Sequence, residues 1–98
     1  MPWFNTQVHF RFDRPSILSN APVLSGVYGL FRTKQWIYFG ESENMQQSLL
    51  EHVDGDNPDI LKMAPTHFTF EVWSGNKRIA RQNQLIQEFR PVCNQRLG

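Results

Sequence analysis

Residues 26–40 read GVYGLFRTKQWIYFG. Aromatic and β-branched residues fill two short runs on either side of a polar turn, Thr33-Lys34-Gln35, which is the pattern of an antiparallel hairpin. The next segment, ESENMQQSLLEH (residues 41–52), reads as an amphipathic helix in which Met45, Leu49 and then Val53 recur every four residues. Ser42 is the expected N-cap, with Glu43 beside the positive end of the helix dipole. Glu41, Glu43 and Glu51 are its charges, and it has no Lys or Arg. A hairpin is thus followed by a helix cleared of positive charge, and that absence needs a reason.

Working outward, DGDNP ends this helix and Pro58 suits the first turn of a short second one, residues 58–64. THFTFEVW (residues 66–73) is the clearest alternating strand, SGNK is a turn, and a last helix runs from about Arg78 to Phe89, stopped by Pro91. On the N-terminal side, TQVHFRF (residues 6–12) also alternates as a half-buried strand, and DRPSILSNAPVLSG reads as an irregular connector. The pattern predicts an α+β fold: a small, mainly antiparallel β-sheet flanked by helices, with an extra N-terminal strand. Residues 1–24 form that strand and connector, and residues 25–98 the main part of a single compact domain.

Composition narrows the class. A chain of 98 residues with 40% hydrophobic and 13% aromatic residues is globular and carries one core. It has no apolar run near the ~20 residues that span a bilayer. The N-terminus lacks the apolar core of a signal peptide, so a cytoplasmic, membrane-free protein is expected. Cys93 is the only cysteine, which excludes an internal disulfide and a cysteine-rich zinc site. The net charge of +1 hides a segregation: residues 41–60 hold six carboxylates and no cation, whereas Lys77, Arg78, Arg81, Arg90 and Arg96 follow later. The second group could meet phosphate, and the first would repel it. Gln82 is the odd residue of the last helix, an amide near the middle of the arc formed by Ile79, Ile86 and Phe89, with Leu85 at its flank.

Together these residues suggest a family. Gly26-Val27-Tyr28, then Tyr38-Phe39-Gly40, a helix with Leu49 and His52, and a closing QNQLIQEFRPVCN resemble the GIY-YIG nuclease domain over residues 25–94. The resemblance implies a site in which two tyrosines, a helix arginine and a His or Tyr surround the scissile phosphate. A glutamate on the last helix would hold one divalent cation. Phosphodiester hydrolysis needs an activated water, a Lewis acid and positive charge for the transition-state oxygens. Tyr28, Tyr38 and His52 match family positions, as do Gly26, Gly40 and the terminal Asn94, which would tie the tail to the core. Ser48 stands where the arginine is expected, and Gln82 where the metal-binding glutamate is expected. No metal ligand is left at those positions, and Mg²⁺ enters only if some activity survives through substitutes such as Arg78 and Glu41.

Three functions follow from the resemblance. A degenerate nuclease-fold domain would bind nucleic acid, DNA above all, through Lys77, Arg78, Arg81 and Arg90 without cutting it. A protein-interaction module would use the acidic face and exposed aromatics such as Trp3, Trp36 or Trp73. A working Mg²⁺-dependent endonuclease would rely on substitute residues.

Overall fold

The computed structural model describes residues 8–94. Within them β1 (Phe10–Arg11), β2 (Gly26–Arg32), β3 (Gln35–Ser42) and β4 (His67–Val72) form one antiparallel sheet in the order β1-β4-β2-β3. Helices α1 (Arg14–Asn20), α2 (Met45–Val53), α3 (Pro58–Lys62) and α4 (Lys77–Phe89) fill the connections, and a 3₁₀ turn, Val92–Asn94, follows. This is the expected α+β architecture, with the N-terminal strand added at the sheet edge beside β4. Of the strand expected over residues 6–12, only Phe10 and Arg11 pair in the ladder. Its first two residues lie outside the described residues, as do Trp3 and Arg96.

The hairpin decides which side chains share a face. Tyr28 faces Gly40 and Leu30 faces Tyr38, but Phe31 then faces Trp36, so Ile37 is the extra residue of a bulge. Residues 36 and 38 would share a face in a regular strand. The bulge separates them: Tyr38 packs with Tyr28, Leu30, Met45, Leu49 and Phe68 on one side. Trp36 packs with Val27, Phe31, Phe39 and Leu85 on the other. Helices α1, α2 and α3 cover the first face and α4 covers the second. Trp36 is therefore core, not an exposed aromatic, and Trp73 packs at the edge of the same cluster.

Several local expectations change. The connector contains α1. The Asp13 carboxylate accepts the Ser16 amide at 2.9 Å, Pro15 sits in the first turn, and Ile17 is buried. One buried residue in seven leaves no periodicity to read. The cap of α2 is Asn44, whose side chain accepts the Gln47 amide at 3.1 Å, while Ser42 ends β3. Other amide groups at the start of α2 donate to the carbonyls of Leu24 and Pro22. On α4 the buried centre is Leu85, not Gln82, and Ile79 is 41% exposed. Arg78 and Arg81 take the inward places because their guanidinium groups reach carboxylates on the strands beneath.

Candidate functional site

Tyr28, Tyr38 and His52 come together on the face covered by α2. The ring centroids lie 6.3 Å apart for the tyrosine pair, 5.6 Å for Tyr28–His52 and 5.4 Å for Tyr38–His52. The Tyr28 Oη is 2.8 Å from His52 Nε2, and His52 Nδ1 is 2.8 Å from Asp56 Oδ1. Burial, followed by the neighbouring Tyr38 and the negative charges of Asp56, Glu41 and Glu51, pushes the Tyr28 phenol well above its ordinary value. Tyr28 is thus the proton donor of its bond. His52 accepts at Nε2, and its Nδ1–H donates to the Asp56 carboxylate. The result is a carboxylate–imidazole–phenol chain of the kind in which an imidazole can take a hydroxyl proton. Tyr28 is only 3% exposed, so the half-buried Tyr38 is the phenol that a ligand can reach. Its own pKa is raised too, by burial and then by Asp56 and Glu41.

Asp56 was not among the residues that the sequence singled out. Its place depends on how α2 ends. Gly55, at φ 92°, lets its amide donate to the His52 carbonyl and that of Asp56 to the Glu51 carbonyl, both at 3.1 Å. This is a Schellman ending, and it folds Asp56 back over the last turn onto His52. The signal was legible as His-x-x-x-Asp with a Gly before the Asp, past the end of the apolar period. Gly40 has a different reason: a Cβ there would run into the Tyr28 ring and hydroxyl. At Gly26 a Cβ would collide with the Glu71 carbonyl.

Neither Ser48 nor Gln82 hydrogen-bonds to this cluster. The Ser48 hydroxyl donates to Ser42 Oγ at 2.7 Å. Gln82 lies on α4, over the opposite face, where its Nε2 is 3.5 Å from Asn83 Oδ1. No hydrogen bond joins it to the tyrosines. The two faces meet electrostatically at the end of β3, where Glu41 follows Gly40 and its charge raises both phenols. Glu41 is held by Arg78, one turn before Gln82: Nε donates to Oε1 at 2.6 Å. The same guanidinium reaches Glu43 at 3.5 Å and the Gly75 carbonyl at 2.9 Å. Arg81 is bound by both oxygens of Glu71, at 2.7 and 3.0 Å, and those bonds raise its pKa further. Of the expected phosphate-binding residues, Lys77 and Arg90 are exposed, whereas Arg78 and Arg81 are committed to carboxylates. Asn94 accepts the Phe39 amide at 2.7 Å and donates to the Phe39 carbonyl at 3.0 Å, so the tail is tied to the open edge of β3.

Comparison with solved structures defines the class: the chain has the fold of the GIY-YIG endonuclease domain. It is similar to the GIY-YIG N-terminal endonuclease domain of UvrC from Thermotoga maritima bound to its catalytic divalent cation, magnesium, with a TM-score of 0.71 and 21% identity over 81% of this chain and 91% of that one. A Tyr→Phe point mutant of that domain gives 0.72 and 22%, over 82% and 91% of the two chains. An Asn→Ala point mutant gives 0.71 and 21%, over 81% and 90%. No family model and no curated protein matches the chain.

Proposed function

We propose that the chain is a GIY-YIG-fold domain whose nuclease catalysis is impaired or lost and which acts as a nucleic-acid-associated binding module. The observation that carries this reading is the Arg78–Glu41 pair beside Gln82. The residues there do not fit a magnesium ion, which takes hard oxygen ligands and commonly one or two carboxylates. Gln82 is an uncharged amide, and Glu41, the carboxylate at the end of β3 that lies within reach of α4, is already paired with the Arg78 guanidinium. At the arginine position, Ser48 supplies a hydroxyl that is bonded to Ser42. Loss of one preorganised electrostatic donor lowers rates by roughly 10²–10³. With no site for the cation, the phenols and imidazole can still position a phosphodiester, but the charge that would stabilise its cleavage is missing.

The test uses purified domain and the Ser48→Arg/Gln82→Glu double variant with labelled branched, single-stranded and duplex DNA and Mg²⁺. The expected result is binding without cleavage by the wild type, weakening steeply with salt. Cleavage by the wild type, abolished by chelator and suppressed by Tyr38→Phe, would overturn the loss of catalysis. Cleavage by the double variant alone would support a scaffold disarmed at those two positions.

A further inference from the structure

Resting on the nucleic-acid reading above, we propose that the ligand is a single nucleic-acid strand held in a groove at the hairpin-turn end of the sheet, not along α4. This end lies opposite the Tyr28–His52 cluster. There β1, β4 and the β2–β3 turn enclose an open groove of about 690 Å³. Its polar lining includes Arg11, Thr33 and Thr66, and the partly exposed rings of Phe12 and His67 supply ring surface, with the buried Phe31 behind His67. The His67 ring stacks on Phe31 with centroids 5.6 Å apart at 18°, and Thr66 Oγ1 holds His67 Nδ1 at 2.9 Å. The imidazole is therefore fixed at the groove wall. Hydroxyls and cations for phosphate oxygens, set beside ring surface for an unpaired base, are the features that single-strand grooves combine.

Charge favours this place over the helix. Thr33 is flanked in the turn by Arg32 and Lys34, both exposed and without an ion-pair partner among the described residues. Arg11 is 79% exposed; its contact with Asp13 is 3.5 Å long, and the other oxygen of Asp13 caps α1. Asp13 is the one carboxylate in the lining. On α4, by contrast, Arg78 and Arg81 are neutralised by Glu41 and Glu71, and α2 nearby is acidic. Arg11, Arg32 and Lys34 gather at the groove end, whereas the cations of α4 without an ion-pair partner among the described residues, Lys77 and Arg90, stand at its two ends.

The experiment is fluorescence anisotropy with a labelled oligothymidylate strand across a salt series. It compares the wild type with Arg32→Ala/Lys34→Ala and with Lys77→Ala/Arg90→Ala, all exposed positions where folding is easily checked by circular dichroism. The turn variant is expected to bind about tenfold more weakly. Its slope of log affinity against log salt should fall by about 1.4, at ~0.7 per phosphate contact. The helix variant should stay within about twofold of the wild type. Equal binding by the turn variant and the wild type, or a loss confined to the helix variant, would overturn the groove while leaving nucleic-acid association intact. Tighter binding to duplex than to the single strand would overturn the choice of ligand. No binding by the wild type would overturn the function proposed above, and the groove with it.

Discussion

At the scale of single residues the chain Asp56–His52–Tyr28 defines the site, and Tyr28 is its most constrained member. The two tyrosines of the sequence are the two of the site, so tyrosinate absorbance reads the site alone. Both phenols are expected to ionise above about pH 10, with Tyr28 later than Tyr38, and Tyr28→Phe should leave a single step. A phenol ionising below pH 10 would contradict the burial that raises both. The same shift bears on stability. The native state holds the Tyr28 proton more tightly than the unfolded chain, which loses its proton first as pH rises past about 10. This contribution is complete below that value and is lost as pH climbs through the folded pKa, so urea midpoints should fall on the alkaline side. At neutral pH, Tyr28→Phe leaves the acceptor of a 6%-exposed His52 without its hydroxyl. A loss of about 1–3 kcal/mol is expected in urea denaturation.

Elements carry the next set of consequences. Helix α2 ends in the conformation that delivers Asp56, and Gly55 is what permits it. Gly55→Ala places a Cβ at φ 92° and 3.1 Å from Leu61 Cδ1, so it should destabilise the domain by about 1–2 kcal/mol. It should also shift the His52 ring resonances in NMR, because the Asp56 bond is disturbed. An unchanged His52 spectrum would separate the turn from the site. Helix α4 is pinned to β3 by Arg78–Glu41, whose side chains are 15% and 30% exposed. Arg78→Met should cost about 1–3 kcal/mol by stranding a half-buried carboxylate, and adding Glu41→Gln should recover part of it. Purely additive losses would mean that the pair contributes nothing. Helix α1 shows where elements escape a sequence reading. Its cap and early proline were present as Asp13-Arg14-Pro15-Ser16, but a single buried Ile17 gives no period, so the segment looked like a connector.

For the whole molecule, the distribution of charge bears on whether the fold holds a metal. If the guanidinium at Glu41 takes the place of a cation, as proposed, the melting temperature should be indifferent to divalent metal. Millimolar Mg²⁺ or chelator should move it by less than about 1 °C, whereas Arg78→Ala/Gln82→Glu should gain stability with Mg²⁺ as binding to the native state requires. A wild-type shift of several degrees with metal would refute the fit argued here. Among the described residues, no helix is long and apolar enough to cross a membrane. The sequence alone determined the hairpin, the order of the main strands and helices, and the identities of Tyr28, Tyr38 and His52, because local period, turn residues and motif spacing are written along the chain. It also carried the expectation that Ser48 and Gln82 stand where the GIY-YIG resemblance implies an arginine and a glutamate. Only the tertiary structure decided that Arg78 and Arg81 are neutralised and that α4, which carries Gln82, lies over the opposite face from the phenols. Those facts depend on residues far apart in the chain and on a bulge at Ile37, and pairing across a sheet leaves no local period to read.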